Sequence, residues 1–435
     1  MLLSAVICGL TGIGVFLSVL IKPEFSVGKL RFGTYWMVSL IGALALLLSG
    51  AVPLSFVGRE LLADSSVNPI KILLLFFSMT FLSVYLDEVG FFRWLASAAL
   101  RRARGSQTVL FFVLYLTVSV LTVFTSNDIV ILTFTPFICF FARRANIKPL
   151  PFLIAEFVAA NTWSLLFVIG NPTNIYLASA AGIGFMPYLS VMALPTCMAG
   201  LTSLAVLYLL FRRQLREPIV GEAPETERIA DPHELELGVF HLAGATLLLA
   251  VSSYLHLEMV WAAVGFACSL GVMTLLLFLH RRARPVILLS AVRRLPFELI
   301  PFVLSMFVLV LGMNYTGLTA ALASVLVTES PIWSIGISSF LAANLINNIP
   351  MSVLFSSVLE GVTDPELYRQ GLFAAVVGSN IGAYLTPVGA LAGMMWSSIL
   401  RRFGVAFSFR KFLLYGAAIA IPTLAAALAG LWLVL

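Results

Sequence analysis

Amide, hydroxyl and carboxyl side chains recur at four places where the surrounding sequence is nearly pure hydrocarbon. These are Ser126-Asn127-Asp128, Gly170-Asn171-Pro172-Thr173-Asn174, Asn347-Asn348-Ile349-Pro350 and Gly378-Ser379-Asn380-Ile381-Gly382. Glycine and proline unwind a helix at such points, and Asn, Ser and Thr supply donors and acceptors. Backbone without helical bonding is tolerated at membrane depth only where it is buried in protein or lines a cavity. Half-helix ends at a break also present partial charges to whatever sits there. The chemistry this predicts is binding: a polar cage for a small hydroxylated or anionic solute, or for a coordinated cation. Asn127, Asn171, Thr173, Asn174, Asn347, Asn348, Ser379 and Asn380 are expected to line it. Gluing helices together is the alternative use of such residues.

The acids divide by position. Asp128 would cost about 2.5–3.5 kcal/mol at the centre of a membrane helix, so its place beside a break predicts a cavity and a proton-linked role. Capping is the other reading, since Ser126, Asn127 and Asp128 all favour a helix N-terminus. Glu156 is the second proton-coupling candidate, placed either in the cavity or near the interface. Asp87 and Glu88 are expected at the interface, and Glu298 in a structural role at the membrane edge.

No catalytic set is visible. The four histidines (His233, His241, His256, His280) are expected in loops or at helix ends. The four cysteines (Cys8, Cys139, Cys197, Cys268) have no metal-ligand spacing. There is no HExxH, no nucleophile–histidine arrangement and no GxxxxGK[ST] loop. The sequence therefore argues against an enzyme, a bound metal or cofactor, and ATP hydrolysis by this chain.

The elements that must position these groups are membrane helices. Of 435 residues, 60% are hydrophobic and 11% charged, too few charges to cover a soluble protein. The net charge of +6 comes in short clusters between apolar segments, which reports membrane orientation and not nucleic-acid binding. Simple spans are expected at 2–21, 33–53, 70–89, 187–211, 238–255, 259–280, 296–314 and 412–434. The first is read as a helix and not as a signal peptide. Residues 107–142 as one straight helix would be about 54 Å long against a hydrocarbon core of about 30 Å. Residues 332–359 are broken by "NLINNIP", and helices at 151–186 and 371–400 are interrupted by "GNPTN" and "GSNIGAYLTPVG".

Orientation follows from Lys and Arg. If 107–142 and 332–359 each enter and leave on one side, all but Arg59, Lys71 and Arg369 face the cytoplasm. Both termini are then outside, and the two segments are re-entrant hairpins, one opening inward and one outward. The expected fold is an all-α polytopic membrane protein: an inverted-repeat transporter with two re-entrant hairpins, two broken helices and about 10 full spans. Its halves would be 1–211 and 239–435, joined by a polar cytoplasmic linker at 212–238. The basic amphipathic stretch 91–105 is expected along the inner membrane surface, or packed on the bundle.

Several runs are familiar together: "FLSVYLDEVGFFRWLASAALRRARG", "SNDIVILTFTPF", "VIGNPTNIYLA", "INNIPMSVL" and "GAYLTPVGALAGMMW". In this order, over nearly the whole chain, they resemble the bacterial arsenite efflux permeases (ArsB type) of the ion transporter superfamily. The resemblance implies an inner-membrane carrier that exports trivalent arsenic or antimony hydroxides, driven by protons or by a partner ATPase. By matching motif it assigns Asn127, Asp128, Thr135 and Pro136 to the first hairpin, and Asn347, Asn348 and Pro350 to the second. Thr386, Pro387 and Gly389 go to the second broken helix, which adds Thr386 to the expected site. Two positions depart from those permeases, with Asn161 and Asn380 standing where they carry acids. The "GNPTN" and "GSN" wording is closer to sodium-coupled dicarboxylate carriers and sodium/proton antiporters, which keeps a sodium-coupled carrier as an alternative.

Overall fold

The computed structural model describes residues 2–21, 24–27, 30–63, 68–102, 105–219, 229, 231–252, 254–282 and 284–435. The middle of the expected linker, 220–228 and 230, lies outside the described residues. So do Lys22, Lys29, Arg104 and Arg228 of the basic clusters. Six helices are long and apolar enough to cross a membrane: Pro69–Val89, Gln107–Phe124, Phe185–Phe211, Pro232–Val251, Met259–His280 and Phe409–Val434. The pair Leu299–Tyr315 and Leu318–Leu326, bent by 82°, would make a seventh. Shorter apolar helices fill in the rest, so the chain is an almost all-α polytopic membrane protein.

Two expected boundaries moved for local reasons. The span at 33–53 is a 14-residue helix, Tyr35–Leu48, about 21 Å long. Pro53 then starts a separate helix, Leu54–Leu62, because a proline disfavours helical geometry in the residue before it. The stretch 22–31, read as a loop, contributes to an antiparallel β-hairpin of Glu24–Val27 and Leu30–Gly33. Its alternation of apolar and polar residues has the strand period of two.

The helix Pro69–Val89 shows how the scaffold is built. Asn68 caps it by accepting the Ile70 and Lys71 amides, and Gly90 ends it in the left-handed region at φ 93°. It is apolar all round and largely buried, as a central helix must be. Its ends are pinned by charge. Lys71 pairs with Glu258 at 2.8 Å, and Arg294 reaches both Asp87 and Glu88 at 2.6 Å. Asp87 is buried and Arg294 about a third exposed. Arg294→Ala should therefore cost about 1–3 kcal/mol, below the figure for a fully buried pair, read as a lower melting temperature in detergent. An Arg294→Ala protein that melts like wild type would mean the triad does not brace this helix.

The helix pair Gln107–Phe124 and Asn127–Arg144 breaks at Thr125 and Ser126. The pair Pro331–Ile346 and Asn348–Leu359 breaks at Asn347, whose φ of 73° makes it one of four described non-glycine residues in the left-handed region. These breaks are called the first and second tips below. The interrupted helices are Leu150–Trp163 with Pro172–Ala180, and Pro365–Gly382 with Leu391–Arg402.

The second interruption takes up only the later part of the run "GSNIGAYLTPVG". Gly378-Ser379-Asn380-Ile381-Gly382 is the last turn of the helix Pro365–Gly382, and the break runs from Ala383 to Ala390. The polar side chains bond back to helical carbonyls: Ser379 Oγ and Asn380 Nδ2 both donate to Val376 O, at 2.8 and 2.9 Å. The glycines serve close packing. A methyl at Gly378 would overlap Ser339 Oγ, the Phe340 amide and the Gly336 carbonyl. Gly378→Ala should thus fail to give stable protein, because two of those obstacles are backbone.

One pattern of packing occurs twice along the chain. Leu150–Trp163 packs on both arms of the first pair, and Pro365–Gly382 on both arms of the second. Asn127–Arg144 meets Leu391–Arg402, and Asn348–Leu359 meets Pro172–Ala180. Asn127–Arg144 also meets Pro69–Val89, as Asn348–Leu359 meets Leu299–Tyr315. His241, expected at a helix end, lies buried inside Pro232–Val251, where it bonds Leu237 O at 2.7 Å and Ser269 Oγ at 3.1 Å.

Candidate functional site

Five of the expected residues form one bonded network. Asn380 is its hub. Its Oδ1 accepts from Asn171 Nδ2 and Ser164 Oγ, both at 2.9 Å, and its Nδ2 donates to Asn174 Oδ1 at 2.7 Å. Thr173 and Ser379 share a hydroxyl contact of 3.0 Å. Asn174 Nδ2 closes the loop onto Ser164 O at 2.8 Å. Asn171 is the N-cap of Pro172–Ala180, accepting the Thr173 amide at 3.1 Å. All six side chains are buried.

The first tip joins this network through Asn161. Asn127 Nδ2 donates to Asn161 Oδ1 at 3.0 Å, and Asn161 O lies 2.9 Å from Ser164 Oγ, sharing its single proton with Asn380 Oδ1. Ser164 and Asn161 were not among the expected lining residues. Their signal was spacing: three residues apart, they share a helix face.

Asn347, Asn348 and Thr386 form a separate group around the second tip. Asn347 Nδ2 donates to Val388 O, and the Asn348 amide to Gly389 O, both at 3.0 Å. Thr386 Oγ1 donates to Asn344 Oδ1 at 2.7 Å, adding a further residue missed from sequence. No hydrogen bond among the described residues links this group to the Asn380 network.

The two acids separate. Glu156 is completely buried, and Thr135 Oγ1 lies 3.1 and 3.2 Å from its two oxygens. It therefore sits inside the packed core formed by Asn127–Arg144 and Leu150–Trp163. Asp128 is half-buried, and its carboxylate has no hydrogen-bond partner among the described residues. It lies within electrostatic reach of the Tyr35 hydroxyl, which itself donates to Glu298 at 3.3 Å. Glu298 also accepts the Gly33 amide at 3.0 Å, the structural use expected of it. The tip serine is the N-cap of Asn127–Arg144 but makes no capping bond, and Ser126 Oγ is buried without a partner.

This distribution divides the candidates by what they have left to offer. Asn171, Thr173, Asn174, Ser379 and Asn380 have largely spent their donors and acceptors on one another. Among the described residues, the groups of these segments without a hydrogen-bond partner include Ser126 Oγ, the Asn348 side chain and the Asp128 carboxylate. Four helix N-termini, at Asn127, Pro172, Asn348 and Leu391, gather around the tips and breaks, and each contributes partial positive charge. A cavity of about 20 Å³, large enough for a water, borders Thr173 between Phe76, Val303 and Ile349. No Lys, Arg or His occurs within 105–142, 149–211, 295–368 or 370–400, the segments that build the site. Among the described residues, no group of three His, Cys, Asp or Glu is placed to hold a metal.

The profile of the family described as citrate transporter (CitMHS) matches residues 34–371. The chain belongs to the citrate transporter family. This family member is 27% identical over 369 residues to the arsenical pump membrane protein of Escherichia coli K12, covering 82% of this chain and 84% of that protein. It is 25% identical over 406 residues to the putative arsenical pump membrane protein of Bacillus subtilis 168, covering 86% and 88%. A 46 kDa membrane protein of Mycobacterium leprae is 25% identical over 381 residues. Among solved structures, the Alcanivorax borkumensis YdaH transporter aligns with a TM-score of 0.49 and 14% identity, over 99% of this chain and 98% of that one. This citrate transporter family member is therefore a multi-pass bacterial membrane protein and a secondary transporter.

Glu156→Gln keeps an acceptor for Thr135 and removes only the ability to ionise. It is expected to leave both melting temperature and transport close to wild type. A large loss in either would give Glu156 more than a packing role.

Proposed function

We propose that the chain exports arsenite or antimonite from the cytoplasm, across the inner membrane, in exchange for protons. The observation that carries this reading is the chemistry of the site: amides, hydroxyls and helix N-termini, with no fixed cation in the segments that form it. A tricarboxylate such as citrate would need its charges matched there. A trivalent metalloid hydroxide is neutral, small and rich in hydroxyl groups, and needs only hydrogen-bond partners. The relatives named as arsenical pump membrane proteins point the same way. The recurrent packing supports an inverted repeat, and the Lys and Arg distribution supports both tips at mid-membrane and both termini outside. The two halves would be 1–211 and 239–435.

Flux into proteoliposomes tests the assignment, with arsenite, antimonite and citrate each supplied under separately imposed proton and sodium gradients. Arsenite flux that follows the proton gradient is expected, with no citrate flux. Citrate flux without arsenite flux would overturn the reading. Transport that survives collapse of both gradients and needs a cytoplasmic ATPase would make the chain a pump subunit instead.

A sodium-coupled carrier is the second reading, favoured by the unpartnered Ser126 hydroxyl at the first tip. It predicts a sodium-dependent rise in melting temperature that Ser126→Ala abolishes. Equal melting in sodium and potassium would remove it.

A further inference from the structure

An apolar, half-open cavity of about 300 Å³ lies apart from the amide network. It separates the helix Leu2–Ile21 from the bent pair Leu299–Tyr315 and Leu318–Leu326, and from the second tip. Cys8, Gly9 and Gly12 form one wall, at the spacing of a single helix face. A Cβ at Gly9 would meet nothing within 4 Å, so glycine hollows this wall. The opposite walls are Met306 and Met313 on the scaffold, and Ile346 and Pro350 at the tip. The one polar group nearby, the Cys8 thiol, already donates to Leu309 O at 3.7 Å.

The surroundings of the cavity indicate what fills it. On Leu2–Ile21, the next face carries Leu3, Val6, Leu10, Ile13 and Leu17, all exposed. On Pro331–Ile346, Ile337, Leu341 and Leu345 are exposed as well. Two walls of the cavity thus belong to helices whose outer faces meet the hydrocarbon of the bilayer. An apolar cavity of about 150 Å³ stays dry and accepts benzene or xenon, and an unfilled one forfeits dispersion contacts along its whole lining. Water is excluded by chemistry, and the neighbouring phase is made of alkyl chains.

We propose that this cavity is a binding site for one acyl chain of a membrane phospholipid. A chain seated there fills the space between the second tip and the helix Leu299–Tyr315. It would brace the tip against the scaffold at the point where Ile346 and Pro350 approach Met306.

Photolabelling tests this without reference to the transported solute. The full chain is reconstituted in nanodiscs containing phosphatidylcholine with a diazirine near the end of one acyl chain, then illuminated and mapped by peptide mass spectrometry. Label on the Cys8–Gly12 segment and on Met306 or Met313 should exceed, several-fold, that on the exposed face of Met259–His280. Gly9→Leu and Leu322→Phe, which fill the cavity from opposite walls, should each remove the excess and leave the Met259–His280 label unchanged. If Gly9→Leu does not fold, Leu322→Phe decides alone. Label on the lining no greater than on Met259–His280, or an excess that survives the filling substitution, would overturn the proposal. So would cross-links from the lining to a second copy of the chain in place of lipid.

Discussion

Asn380→Asp should disable the protein more severely than Asn380→Ala. Asn380 Nδ2 faces three oxygens: Asn174 Oδ1 at 2.7 Å, Val376 O at 2.9 Å and Ser379 Oγ at 3.1 Å. A carboxylate puts an acceptor against all three and a charge where no cation is within reach. Alanine only deletes bonds. It leaves Asn171 Nδ2 without a partner and weakens the hold on Asn174, at about 1–3 kcal/mol per stranded group in soluble proteins and nearer 1 in membranes. A loss of about 2–4 kcal/mol follows for Asn380→Ala. For Asn380→Asp no stable protein is expected at pH 8, with partial recovery at pH 5, where a protonated carboxyl can donate. Thermal melts of the detergent-purified variants at both pH values decide it. An aspartate variant that melts as wild type does at pH 8 would show that Asn380 is not the hub of this network.

That network explains why the sequence was legible in part. The polar breaks stood out because Asn127, Asn171 and Asn347 interrupt hydrocarbon, and the tips fall within one or two residues of them. Placement within a break was harder. "GSNIG" reads as unwound because two glycines flank a polar pair, yet the helix persists where Ser379 and Asn380 bond back to Val376 and the glycines admit a neighbouring helix. Asn344 escaped notice because a single polar residue three positions before the conspicuous Asn347-Asn348 pair carries no separate signal. A faint internal resemblance also runs along the chain. Ser78-Met79, Gly90 and Leu95-Ala96-Ser97 recur at the same internal spacing as Ser305-Met306, Gly317 and Leu322-Ala323-Ser324. Gly90 and Gly317 both sit in the left-handed region, each turning a long helix into a short one. Hydropathy drowns such a repeat, because nearly every intervening residue is apolar. The roles of Asp128 and Glu156 were not legible, since sequence cannot say which carboxylate faces a packed interior and which a seam.

The seam is what makes Asp128 the residue that should uncouple transport. Asn127–Arg144 packs against the scaffold helix Pro69–Val89, and Asp128 is within electrostatic reach of Tyr35, on the helix Tyr35–Leu48. A core that moves against the scaffold in alternating access changes the surroundings of Asp128. Those of Glu156 stay fixed, because Thr135 travels with it. A proton carrier must meet different environments in the two states, which favours Asp128. Asp128→Asn keeps the shape and the backbone bond from residue 128 to Asn127 Oδ1, 2.9 Å long in the parent. It also removes a carboxylate that has no partner, so the variant should melt at or slightly above the wild-type temperature. A tenfold proton gradient supplies about 1.4 kcal/mol per proton, or about tenfold accumulation for one-for-one exchange. Wild-type proteoliposomes should show accumulation that grows with that gradient, and Asp128→Asn accumulation should be flat. Exchange of labelled for unlabelled solute at equal pH needs no net proton movement and should persist in the variant. Gradient-driven accumulation retained in Asp128→Asn would end its coupling role, and loss of exchange as well would make Asp128 a binding residue.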